Sequence, residues 1–165
     1  METLVINGWK VFFHLCFLQQ LVELTVTVGK LKEADPDGYK RKAPTKLLAA
    51  INRVIEERIS ANPLDPQFRL GNTLSTDHKH WFRAKFLQQF RLFFRCSERS
   101  KVIVIGWVND FDTLRTYGSK TDVYKVFAAK LAAGDPPDDW NTLFSEAQAA
   151  TKLMVPGSLP GFLSP

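Results

Sequence analysis

Cysteine is scarce in this chain: its 165 residues hold two, Cys16 and Cys96, far apart and without metal-ligand spacing. A disulfide framework and a zinc site have little support, and a reducing cytoplasm is the expected compartment. Long apolar runs are missing too. The opening METLVINGWKVFFHLCFLQQLVEL is interrupted by Asn7, Lys10, His14, Gln19 and Gln20, and it carries neither a basic leader nor a small-residue cleavage site. No signal peptide or membrane span is expected. Carboxylates are few where cations are densest. From Arg69 to Lys101 stand Arg69, Lys79, Arg83, Lys85, Arg91, Arg95, Arg99 and Lys101 against Asp77 and Glu98 alone, a local charge of +6 in a chain whose total is +5. Without clustered carboxylates a two-metal nuclease is disfavoured, and no cofactor is expected.

The cations of this segment interleave with Trp81, Phe82, Phe86, Phe90, Phe93 and Phe94. Such a mixture suits a surface that holds a phosphate backbone and offers rings to bases. The plain alternative is a solvated charged face over an ordinary sheet core. Alternation along strands separates the two readings. It projects Arg83 and Lys85 together, away from Ala84 and Phe86. Beyond a Gln88-Gln89 turn it projects Arg91 and Arg95 with Phe93, and sends Phe90, Leu92 and Phe94 to the other side. Four cations on one face of paired strands repel unless an anion sits among them, which favours a functional basic face. The sequence pI near 9.3 agrees with a polyanionic or acidic partner: RNA, DNA or an acidic inhibitor protein.

Residues 5–13 read as a first strand and 16–32 as a helix, followed by the turn residues Asp35-Pro36-Asp37-Gly38. The clearest helix runs from Pro44 to Ser60, where Leu47, Leu48, Ile51, Val54, Ile55 and Ile59 form a stripe at helical spacing. Strands are expected over 81–87, 90–97 and 101–108. The last is apolar on both faces and therefore central. Helices over 122–133 and 138–152 close the pattern. The fold class is α+β: a small antiparallel-core sheet packed against two N-terminal helices, with C-terminal helices, in one domain over 1–153 and a flexible tail over 154–165.

The pieces Asn7-Gly8-Trp9, Tyr39-Lys-Arg-Lys, Thr45-Lys-Leu-Leu, Val54-Ile-Glu-Glu, Asn62-Pro63, Trp81-x-Arg83-x-Lys85-Phe86, Arg91-Leu-Phe-Phe-Arg95, Gly106-Trp107, Asn109-Asp110 and Thr113-Leu-Arg-Thr-Tyr-Gly118 closely resemble the YhaV family of type II toxins, within the RelE/ParE-like superfamily. The resemblance runs in register over about residues 5–145. It implies a RelE-like fold and a cytoplasmic, ribosome-dependent endoribonuclease that cuts mRNA and blocks translation. It also implies neutralisation by a PrlF-type antitoxin with a swapped-hairpin, AbrB-like DNA-binding fold, and a toxin-antitoxin complex that binds operator DNA. The alternative is a non-enzymatic module of the same fold that binds nucleic acid or occludes a protein target such as DNA gyrase.

Cutting RNA without a metal requires a base for the 2′-hydroxyl, cations for the phosphorane and an acid for the leaving 5′-oxygen. Arg91 is the best phosphate clamp, since a guanidinium offers two parallel donors, and it resembles the superfamily's strand-borne phosphate arginine. Arg83 and Lys85 resemble the basic pair of the preceding strand. Lys85 serves as a base only if neighbouring cations pull it far below the usual value of about 10.4. Arg115 and Lys120 supply the leaving-group side, with Tyr117 or Tyr124 stacking a base or relaying a proton. The expected catalytic set is Arg83, Lys85, Arg91, Arg115 and Tyr117, and the expected RNA contacts are Lys79, Arg95, Lys120 and Tyr124. Plainer readings stand beside these. Arg95 pairs with Glu98 or a helix carboxylate, Tyr124 packs in the core, His78 and His80 are loop residues, and Asn109 and Asp110 form a turn from which Asp110 orients Arg115.

Overall fold

The computed structural model describes residues 3–71, 73–74 and 76–152; the expected tail over 154–165 lies outside them. The strand expected over residues 5–13 is a hairpin. Asn7 and Gly8 both adopt left-handed backbone, with φ of 52° and 82°, the two-residue turn that an Asn-Gly pair favours. They join β1 (Val5–Ile6) to β2 (Trp9–Phe13) in antiparallel register. The Asn7 side-chain amide donates to the carbonyls of Ser60 and Ala61 at 3.1 and 3.2 Å, which ties the turn to the end of the second long helix. The first, α1 (Leu15–Ala34), starts where His14 Nδ1 accepts the Cys16 amide. The second, α2 (Ala43–Arg53), carries Pro44 in its first turn, where the missing N–H costs no bond. The chain then continues through π-helical turns over Val54–Ile59, so Leu47, Leu48, Ile51, Ile55 and Ile59 stay buried along one side.

The strands β3 (Phe82–Phe86), β4 (Phe90–Ser97) and β5 (Val102–Val108) follow as an antiparallel meander. The sheet order is β1-β2-β5-β4-β3, with β2 parallel to β5. The antiparallel core is as expected; the parallel pairing is an addition. It is a long-range contact made possible because α1 and α2 lie in the crossover between the two strands. β5 is buried along its whole length and central. Both of its faces are covered by helices.

On one face α1, α2 and the π-helical turns pack Phe17, Leu21, Leu47, Ile51 and Ile55 against Phe13, Leu92, Phe94, Ile103 and Ile105. On the other, α3 (Val123–Ala132) and α4 (Trp140–Lys152) pack Val123, Phe127, Leu131, Leu143 and Ala147 against Phe12, Phe93, Val104 and Trp107. The cations that strand alternation assigns to one face lie on this second side, at the edge of the aromatic layer built by Phe93, Phe127 and Trp107, where the Phe93 and Phe127 rings stack at 4.0 Å.

Candidate active site

Register brings the basic residues together. On the β3–β4 ladder Lys85 stands opposite Arg91, and Arg83 stands opposite Phe93. Residues paired across an antiparallel ladder share a face, so Arg83, Lys85 and Arg91 point with Phe93, as alternation predicts. Their environments differ. Lys85 is exposed, whereas Arg83 and Arg91 are each only 6% accessible.

The buried guanidiniums converge on one atom. α3 begins beside them and places Tyr124 against Phe93, ring edge to ring face at 5.8 Å. The Tyr124 hydroxyl accepts Nε–H from Arg83 at 2.9 Å and from Arg91 at 3.1 Å. Arg83 Nη1 also donates to the carbonyls of Arg69 and Gln67, and Arg91 Nη1 to those of Gln88 and Phe90. All of these acceptors are neutral. Among the described residues neither arginine has a carboxylate partner. The cationic face is thus held by a phenol and backbone carbonyls, leaving its charge uncompensated. A buried charge without a counterion is costly.

Tyr124 therefore packs in the core with its ring and also meets the basic face with its hydroxyl, uniting two readings that the sequence left apart. A phenol offers two acceptor lone pairs and one O–H donor, so accepting both N–H bonds leaves the O–H as the donor it can direct elsewhere. Of the two tyrosines, Tyr124 and not Tyr117 joins the arginine pair.

Arg115 is third in the assembly. Its Nη1 bonds to Asp122 Oδ2 at 2.8 Å, and its guanidinium lies over the rings of Tyr117 and Tyr124, 3.7 and 4.8 Å from their centroids. Asp122 was absent from the expected set. It is the N-cap of α3, accepting the Tyr124 amide, and its Oδ1 takes the Thr116 amide. An aspartate immediately before an amphipathic helix is a capping signal that could have marked it. Burial raises the Asp122 carboxyl, but the bonds from Arg115 and Thr116 outweigh it and hold the group below its usual value. The Arg115 guanidinium is correspondingly raised: its burial acts against the charge, and Asp122 more than offsets that.

Asp110 does not orient Arg115; it accepts from Thr113 and from the Asp112 amide within its own turn. Asn109 is more than a turn former. Its buried side chain accepts the Arg91 amide at 2.7 Å and donates to the carbonyls of Gln89 and Thr113, so it fastens the loop carrying Arg115 to the start of β4. Backbone and side chain of Gln89 close the same seam on Arg115.

Among the described residues, none of the remaining expected ones bonds to the Tyr124 hydroxyl. Lys79 and Lys120 are exposed. Arg95 shares the face but lies toward the other end of β4. It donates to the Asp138 carbonyl and rests over Trp81 and Trp140 at 5.8 and 5.4 Å, and burial pulls its pKa down against Asp138 and Asp139. His78, His80 and the Trp81 indole all bond to Asp138 Oδ1, at 3.2, 3.0 and 2.8 Å, making a structural knot. Among the described residues, His14, Cys16 and Asp135 bring one donor atom each within 4.8 Å of one another. The Cys16 thiol is spent on Asp135 at 2.7 Å and the Nδ1 of His14 on the Cys16 amide. Burial, then Asp135, pushes that thiol up to about 12.

Known proteins similar to this chain are toxins. A family model described as a toxin with endonuclease activity, of a toxin-antitoxin system, matches residues 11–148. The ribonuclease toxin YhaV of Escherichia coli K12 is 51% identical over 145 residues, covering 87% of this chain and 94% of the relative. Toxin YhaV of Escherichia coli O157:H7 is likewise 51% identical, and that of Escherichia coli O6:H1 50%, over the same share of each chain. No solved structure matches.

Proposed function

The chain belongs to the YhaV family of toxin-antitoxin endonucleases, and from that premise we propose that it cuts mRNA on the ribosome by a metal-independent attack of the RNA's own 2′-hydroxyl. The observation that carries this reading is the pair of buried, carboxylate-free guanidiniums meeting at the Tyr124 hydroxyl. Arg83 and Arg91 take the scissile phosphate between them and stabilise the charge that builds on its non-bridging oxygens. The 2′-hydroxyl loses its proton to water as the O2′–P bond forms, and as the P–O5′ bond breaks the Tyr124 proton, directed away from both arginines, is given to the leaving 5′-oxygen and is replaced from solvent. Arg115 adds a cation alongside, and Lys85 at the exposed lip steers the polyanion in. The products are a 2′,3′-cyclic phosphate and a 5′-hydroxyl.

Because the family is that of a toxin-antitoxin system, an antitoxin is the natural partner. We assign that role to a PrlF-type protein whose complex with this chain binds operator DNA in the cytoplasm. Among the described residues no helix is long and apolar enough to cross a membrane.

The test is cleavage of a defined mRNA by the purified protein, with and without translating ribosomes, in the presence of a chelator. Cuts that depend on ribosomes, survive the chelator, and disappear when the nucleotide 5′ to the cut is 2′-deoxy support the reading. Arg91→Ala and Arg91→Gln should both lose cleavage. Full activity in either variant would remove Arg91 from the site.

A further inference from the structure

Tyr117 is the most exposed large hydrophobic side chain among the described residues, at 82%. An exposed tyrosine on a loop needs no explanation by itself, but this one does not stand alone. The Arg115 guanidinium lies 3.7 Å from its ring centroid, in stacking contact, so one face of the ring is backed while the residue remains open to solvent. The backing is fixed. Arg115 is gripped by Asp122 at 2.8 Å, its amide donates to the Gln89 carbonyl at 3.0 Å, and its own carbonyl accepts the Gln89 side chain at 3.2 Å. Beneath Arg115, at 4.8 Å, lies the ring of Tyr124, whose hydroxyl holds the arginine pair.

Arg115 thus contacts two rings, that of the exposed Tyr117 and that of Tyr124, whose hydroxyl gathers the phosphate-binding guanidiniums. The Tyr117 hydroxyl interacts with the Arg115 side chain, and among the described residues no hydrogen bond ties it to Arg83, Arg91 or Tyr124, the groups that meet at the cutting site. What the geometry offers is a flat, supported, unoccupied π-face. Nucleobases stack on such faces, and a cation behind the ring strengthens its hold on an electron-rich base.

We propose that Tyr117, stiffened from below by Arg115, is a stacking platform for the nucleobase next to the scissile phosphate: a base subsite of the RNA-binding surface and not a proton-transfer group. The inference rests on the arginine–Tyr124 cutting site proposed above. It accounts for why Asp122 and Gln89 spend so many bonds on one arginine: they hold a stacking surface still. Binding of the neighbouring base then fixes the phosphate at the guanidiniums, so loss of the platform weakens RNA binding without touching the reacting groups.

The probe is an octaribonucleotide bearing 2-aminopurine at successive positions and methylated at every 2′-oxygen, so that it cannot be cut. Stacking on an aromatic ring quenches 2-aminopurine emission. The full-length protein should quench one position most strongly. Tyr117→Leu should abolish that quenching and weaken binding about tenfold, within the range for loss of one base–aromatic stack. Tyr117→Phe, which keeps the ring and drops the hydroxyl, should restore both. Because Tyr117 is exposed, thermal melts of both variants should match the parent, which keeps folding out of the comparison. Equal quenching in Tyr117→Leu, no position-dependent quenching by the parent, or loss in Tyr117→Phe as deep as in Tyr117→Leu would each overturn the platform. Failure of the cutting-site reading looks different: Arg91→Gln would still cleave mRNA while the quenching at Tyr117 persisted.

Discussion

Asp122 holds Arg115 through a 2.8 Å bond from the same oxygen that accepts the Tyr124 amide. One carboxylate therefore caps a helix, fixes the guanidinium over the Tyr124 ring and, through Thr116, anchors the loop between. It is also a selective neutraliser. Arg115 is compensated, whereas Arg83 and Arg91 are left with neutral acceptors only, so the excess charge is concentrated at the two strand arginines.

Replacing Asp122 by Asn should cost about 1–3 kcal/mol at neutral pH, from a weakened cap and a part-buried arginine left without its carboxylate. The pH dependence follows from the sign of the shift. The folded carboxyl sits below its ordinary value of 3.8, so its contribution is complete above about pH 4 and is lost as pH falls through the folded value. Urea melts of the parent and of Asp122→Asn should differ most near neutrality and converge in acid. A gap that is constant with pH would show that the lost stability does not come from the ionised carboxylate.

Tyr124→Phe removes one oxygen and strands two buried donors, the Nε–H groups of Arg83 and Arg91. Stability should fall by about 1–3 kcal/mol. Cleavage should fall further, by about two to four orders of magnitude, because the group that protonates the leaving oxygen is gone. Single-turnover rates on ribosome-bound mRNA, set beside thermal melts, separate the two effects. A variant that melts lower and cuts normally would return Tyr124 to a purely structural role.

Much of this site could be read from residue order. Period-two alternation is local, so the shared face of Arg83, Lys85 and Arg91 followed from two strands and a turn. The helical stripe of Leu47, Leu48, Ile51, Ile55 and Ile59 is legible for the same reason. What escaped depends on contacts far apart in the chain. Tyr117 and Tyr124 are seven residues apart, and only the start of α3, set by Asp122, decides which ring turns inward. The parallel pairing of β2 with β5 joins residues such as Val11 and Ile103, a distance at which local periodicity carries no signal. Arg95 has the same spacing logic as Arg91 but meets Asp138 and Trp140 from α4 and its approach, so equal patterning ends in a different role.

An uncompensated guanidinium pair should bind small anions. Inorganic phosphate at a hundred times its dissociation constant should stabilise the fold by about 2.7 kcal/mol, seen as a rise in Tm over sodium chloride at matched ionic strength. Arg83→Met combined with Arg91→Met should abolish the rise, and phosphate should inhibit cleavage competitively with RNA. The same Tm shift in the double variant would place phosphate elsewhere on the basic surface.

Gly106 makes a test of how tightly the aromatic layer behind the site is built. A Cβ added there would lie 2.7 and 2.9 Å from Cζ3 and Cη2 of Trp81, closer than carbon atoms approach. Trp81 has little room to yield. Its indole N–H bonds to Asp138 at 2.8 Å, its ring meets Phe127 edge-on at 5.1 Å, and Arg95 lies over it at 5.8 Å. Gly106→Ala should therefore destabilise the protein by about 1–3 kcal/mol, the usual cost of overpacking, and lower the urea midpoint with the slope unchanged. Because the clash is with one ring, the smaller Trp81→Phe should relieve it. The double variant should be more stable than the sum of the single losses predicts, a coupling that neighbouring residues show and distant ones do not. Strict additivity would mean that the backbone of β5, and not Trp81, absorbs the added methyl group.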